Sequence, residues 1–309
     1  MRLQRLKIMD EAKAASLNPK TGKTGCFFLL EFLFAAVMWI ITQCGCGFAM
    51  IIGALFASLF HLKGANADSI TVAFLLAGTL ACTIPVILWG KFVSGRKIHT
   101  FGFTKKNAVK HYLIGLLVGF GMFGAALLIC VITGASEVEL SADGFNVFCL
   151  LALFIGYIFQ GNEEEVLCRG CIFVSVTRRY SVIMGIIINS LIFGCLHLFN
   201  SGLTVLAFVN LVLFGLFMSL VFLRTGNIWM VSAIHTIWNF TQGNIFGVLV
   251  SGNSFGQSVM ETTPDMSKSL INGGDFGLEG GLAVTIILAI GIVIVYFCKS
   301  SKDILVEET

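Results

Sequence analysis

Three carboxylates stand in a row at Glu163, Glu164 and Glu165, inside "GNEEEVLCRG", and Arg169 follows in the same stretch. Apolar residues crowd both sides of it, so the acids sit where water is scarce. Ionisable groups in such surroundings are costly, about 2.5–3.5 kcal/mol each on insertion scales, and are candidates for function by default. Glu165 and Arg169 are four apart and share a helical face, so they can pair. Glu164 projects about 100° away and faces a different space. A carboxylate in that position can take a proton from water and return it to a leaving amine. Two imidazoles and an amide offer partners: His197, four residues after Phe193 in "FGCLH", and His235, four residues before Asn239 in "HTIWN".

These groups need rigid elements to hold them, and the composition says which kind. Of 309 residues, 57% are hydrophobic and 12% charged, against about 25% charged in an ordinary soluble domain. Mean hydropathy is +0.92. That excludes a soluble globular protein. The net charge of +3 is small, and without a basic stripe interleaved with aromatics a nucleic-acid partner is excluded too. The fold class is therefore an all-α polytopic membrane protein.

About 20 apolar residues cross a bilayer core. Spans are expected at 27–60, 69–92, 112–133, 146–176, 182–199, 203–222, 227–250 and 281–298, eight in all. The first is long enough to be two, with "CGCG" at 44–47 as the possible break, and is kept as one. Pro85 is expected to kink the second. An even count puts both termini on one side, where Arg178, Arg179, Arg224 and the basic tails collect, leaving Lys63 and Lys268 opposite. The positive-inside rule makes that side cytoplasmic. Residues 1–25 and 299–309 read as cytoplasmic tails and 26–300 as one transmembrane domain, with a catalytic core at about 145–250. The Gly/Ser/Asn-rich segment 251–280 reads as a flexible extracytoplasmic loop. The location is the cell membrane, as a multi-pass protein.

Glu164 and His197 each lie about 16 residues from the "RRYS" turn at 178–181. On antiparallel helices that places both about 25 Å along, at matched depth. Bland roles compete with this. Arg169 can lock a helix, a single histidine can merely pack, and Gln160, Asn189 and Asn210 can bridge helices by hydrogen bonds. Glu31 reads as a snorkelling edge residue. The ten cysteines read as buried thiols, Cys168 and Cys171 forming a lone C-x-x-C without a second pair.

In these residues the chain resembles the CPBP family of intramembrane proteases, named for CAAX processing and bacteriocin processing. Its E-E-x-x-x-R motif is matched by Glu164, Glu165 and Arg169, its F-x-x-x-H by Phe193 and His197, its H-x-x-x-N by His235 and Asn239, all in order. The resemblance implies that Glu164 and His197 activate water, that His235 and Asn239 stabilise the oxyanion, and that Glu165 and Arg169 support the site. A third acid, Glu163, precedes the pair and leaves a one-position slip in role open. The resemblance also leaves the cofactor open: none, or a divalent metal such as zinc on Glu164, His197 and His235. The expected substrate is a peptide or protein reaching the site from the membrane or the cytoplasm, of CAAX, bacteriocin-leader or immunity type. Cleavage is expected near the cytoplasmic half of the bilayer. A proton- or cation-coupled transporter using the same Glu and His, or a non-catalytic scaffold, are the rival classes.

Overall fold

The computed structural model describes residues 6, 7, 9, 27–92 and 95–298. The expected C-terminal tail, most of the N-terminal tail and the side chain of Glu31 lie outside the described residues. What is described is mostly helix. Helix α1 (Phe27–Leu59) is followed by α2 (Gly64–Ala77), α3 (Leu80–Phe92) and α4 (Ala108–Ile132). Strand β1 (Ser136–Leu140) leads to α5 (Val147–Glu165), which continues as a π-helical stretch, Val166–Phe173, into α6 (Val174–Arg179). Then come α7 (Val182–Cys195), α8 (Val205–Thr225) and α9 (Ile228–Phe240) with a second π turn, Thr241–Ile245. Strand β2 (Met260–Pro264), short turns including α10 (Ser269–Asn272), and α11 (Leu282–Phe297) complete the described chain.

Four stretches among the described residues are long and apolar enough to cross a membrane: Phe32–Leu59, Gly64–Phe92, Ala108–Ile132 and Val205–Thr225. Helices α7 and α11 are apolar but shorter. Helix α1 runs unbroken through "CGCG". Glycine there serves close packing, since a Cβ on Gly45 would stand 2.7 Å from Gly78 O of the neighbouring span. The second span is interrupted at Gly78–Thr79, upstream of Pro85 rather than at it. Pro85 lies inside the helix that follows the break.

Two expectations are corrected on the loop side. The fold is not purely helical, because β1 pairs antiparallel with β2, Ser136 opposite Pro264 and Leu140 opposite Met260. "SEVEL" alternates its side chains across a ribbon, a period of two that a helix cannot use. The segment 251–280, expected as a flexible connection, is folded back on the helices. Asn244 donates to Phe255 O at 2.6 Å and Gln257 O at 2.8 Å, Asn272 to Ala135 O at 2.6 Å, and Asn210 to Glu279 O at 2.8 Å and Gly281 O at 2.9 Å. These amides satisfy loop backbone carbonyls, which a loop packed on a protein must pair. The last full passage before it also ends earlier than expected, at Ile245 instead of 250.

Capping explains where the helices of the core begin. Asn146 accepts from Phe148 N at 2.9 Å, Ser181 from Met184 N at 3.1 Å, Thr204 from Ala207 N at 3.1 Å and Asn227 from Trp229 N at 2.8 Å. Each satisfies an amide that the first turn leaves without a carbonyl.

Candidate active site

Helix α5 carries the acids, and α9 lies against it closely enough for side chains to meet. Gly161 permits this: a Cβ there would stand 2.8 Å from Thr236 N. Thr236 donates to Tyr157 O at 3.2 Å and Asn162 to Ser232 Oγ at 3.3 Å. The carboxylate of Glu165, fully buried, receives both Arg169 Nη1 at 2.8 Å and His235 Nδ1 at 2.9 Å on one oxygen. Arg169, also fully buried, reaches Gly215 O at 3.1 Å with Nη2 and lies over the Phe193 ring at 4.8 Å. Arg169 sits within the π-helical stretch, where the wider turn displaces the usual backbone pairing. Gly170 O there accepts from Arg96 Nη2 at 2.7 Å.

His197 lies just beyond the end of α7, in a tight turn closed by its own N–H to Gly194 O at 3.1 Å. The helix expected over 182–199 ends at Cys195. Its Nδ1 is 2.9 Å from Phe193 O. A carbonyl can only accept, so Nδ1 carries the proton and a neutral ring presents the Nε2 lone pair. His235 Nδ1 likewise donates to a fixed acceptor, the Glu165 carboxylate, and leaves Nε2 turned the other way. Phe193 thus has two uses in its motif: its carbonyl orients His197, and its ring covers Arg169.

Both free ring nitrogens turn toward one atom. Glu164 Oε2 is 4.0 Å from His197 Nε2 and 3.8 Å from His235 Nε2, and among the described residues it has no hydrogen-bond partner. Those separations are too long for a direct hydrogen bond and suit one bridged by water. The other oxygen, Oε1, accepts from Gln160 Nε2. Gln160 in turn accepts from Asn239 Nδ2 at 2.9 Å. Glu164, Glu165, Arg169, His197 and His235 are therefore brought together, and Asn239 is tied to them through Gln160.

Zinc bonds of about 2.0–2.1 Å in a tetrahedral shell bring ligand atoms to about 3.3 Å of each other. Glu164 Oε2 stands wider than that from both imidazoles, at 3.8 and 4.0 Å, and among the described residues no group of three or more His, Cys, Asp or Glu has metal-holding geometry. The residues as placed do not fit the ion.

Glu163 has a different partner. It accepts from Thr42 Oγ1 of α1 at 3.1 Å and is 4% exposed, while lining the same cavity as Glu164 and the two imidazoles. Gln160 is the residue that sequence reasoning assigned only to helix bridging. Its four-residue spacing before Glu164 was the available signal. The described cysteines are free thiols, most of them buried.

A cavity of about 340 Å³ opens over these groups, a size usual for ligand sites. Its walls include Trp39 and Cys46 of α1, and Ser251, Asn253 and Glu279 of the folded loop. Instead of lying toward the basic ends of α6 and α8, it extends among the linkers of the opposite end.

The family model described as type II CAAX prenyl endopeptidase Rce1-like matches residues 146–241. Those residues form an Rce1-like domain. The domain starts at the cap of α5, ends just past Asn239 and contains all three motifs, consistent with a CPBP-type intramembrane protease. No curated protein matches the chain. With several apolar helices beside it, the Rce1-like match points to a multi-pass membrane protein.

Proposed function

We propose that the chain is an intramembrane endopeptidase that hydrolyses peptide bonds of membrane-associated substrates with a water activated by Glu164 and His197. The observation that carries this is Glu164 Oε2, without a hydrogen-bond partner among the described residues, facing two imidazole Nε2 atoms at 3.8 and 4.0 Å. A water in that space passes one proton to Glu164, and its oxygen bonds to the substrate carbonyl carbon. The oxyanion that forms faces His235 and Asn239. His235 donates in its protonated form, whose charge the Glu165 carboxylate balances, much as a triad aspartate supports its histidine. Donors fixed in advance at developing charge are usually the largest contribution to such a reaction. When the C–N bond breaks, the proton held by Glu164 goes to the leaving amine. Glu165, Arg169 and Gln160 position these groups without touching substrate.

In the same reading residues 26–300 make one domain of eight spans in the cell membrane, with both termini cytoplasmic and the catalytic core at about 145–250. Bacteriocin leaders, immunity targets and lipidated peptides all belong to the substrate class this site can serve. The test is comparative peptidomics of membranes from cells carrying the wild type or Glu164→Gln. Peptides produced only with the wild type support hydrolysis, and identical peptide sets contradict it.

A further inference from the structure

Six side-chain amides line the cavity, and five of them are already engaged. Gln160 donates to Glu164 Oε1, and Asn239 donates to Gln160 Oε1. Asn200 and Asn253 both donate to Ser251 O, and Asn210 holds the folded loop at Glu279 O and Gly281 O. The sixth is Gln43. It is exposed, and among the described residues no hydrogen bond reaches its amide.

Gln43 is the central residue of α1, about 24 Å from either end of a helix that rises 1.5 Å per residue. Ile40 and Met50, close to it on the same helical face, are exposed and apolar. An amide at mid-span among such residues has neither water nor a protein partner, and polar groups so placed in a membrane are candidates for function. Two contacts put it beside the catalytic groups. Thr42, the residue before it, donates to Glu163 Oε1 at 3.1 Å, so this turn of α1 touches the neighbour of Glu164. Trp39, four residues earlier and on the same face, has its ring 5.7 Å from that of Phe199, two residues past His197. Gln43 therefore stands where the cavity meets the outer surface of α1.

Attack on a peptide carbonyl requires backbone that has left any helix, and in an apolar medium each N–H and C=O so freed needs a new partner. An amide side chain supplies both a donor and an acceptor. Building on the peptidase reading, we infer that Gln43 is a substrate-binding residue: its amide pairs with the backbone of extended substrate polypeptide beside the scissile bond, where the chain passes from the surface of α1 toward Glu164. This pairing reads the backbone and not a side chain, so it serves lipid-anchored peptides as well as membrane-spanning ones. It also places part of the substrate site on α1, outside residues 146–241.

The test uses purified full-length protein in detergent and a quenched peptide that the wild type cuts and Glu164→Gln does not. Each peptide bond flanking the cut is replaced in turn by an ester, which removes one N–H and weakens one carbonyl as an acceptor, and mass spectrometry reads the position of the cut. In the wild type, an ester at one flanking bond is expected to raise KM about three- to tenfold, the reach of a single hydrogen bond, with kcat nearly unchanged. Gln43→Leu and Gln43→Met are each expected to raise KM for the all-amide peptide by a similar factor and to cut the ester and amide forms equally well. If no flanking ester slows the wild type, the inference is overturned whether or not the variants fold. An ester penalty that persists unchanged in either folded variant overturns it too, and leaves the role of Glu164 intact. If no peptide is cut in a Glu164-dependent way, the peptidase reading itself fails and takes this inference with it.

Discussion

Glu164→Gln is expected to lower kcat for peptide cleavage by about 10²–10⁴-fold, the usual share of a positioned acid–base group. Glutamine keeps the shape and can still accept from Gln160 at one oxygen, so the packing around it is preserved. What it cannot do is hold a proton between water and amine. KM should change little, because the lost interaction belongs to the transition state. Single-turnover cleavage of a quenched peptide in detergent measures the loss, with the thermal unfolding profile recorded alongside. A variant that is fully folded and fully active would remove Glu164 from the chemistry.

Arg169→Met is expected to have the largest effect on stability. Breaking a buried pair by removing one partner costs about 3–5 kcal/mol, because the remaining charge is left in a medium that solvates it poorly. Here the remaining charge is Glu165, fully buried, with His235 as its other partner. The guanidinium also gives up Gly215 O and the Phe193 ring. The double change Glu165→Gln and Arg169→Met removes both charges, so it should recover part of the stability while activity stays low, since His235 loses its carboxylate. Denaturation of the three proteins in one detergent separates the effects. If the double variant is less stable than Arg169→Met alone, the stranded-charge explanation is wrong.

The motifs were legible because their logic is local. Glu165 with Arg169, Phe193 with His197 and His235 with Asn239 all lie four apart, and charge in an apolar run draws the eye. Matched depth from the "RRYS" turn correctly brought Glu164 toward His197. What the sequence did not disclose depends on contacts between distant segments. Gln160 gains its position from Asn239, 79 residues away. Glu279 sits in a Gly-rich acidic stretch that reads as solvated loop, and only Ser251 and Trp238 draw it against the cavity. The π turns change the helical pitch without leaving a periodic mark, and the break at Gly78 sits at a close approach to α1, upstream of the proline.

The most direct test of a shared water is an experimental density map of the wild-type protein in a lipid environment, at a resolution that shows ordered solvent. A water-sized peak within about 3 Å of Glu164 Oε2 and both imidazole Nε2 atoms is the predicted result. Side chains filling that space, or Glu164 and His197 turned apart beyond the reach of one water, would contradict the account.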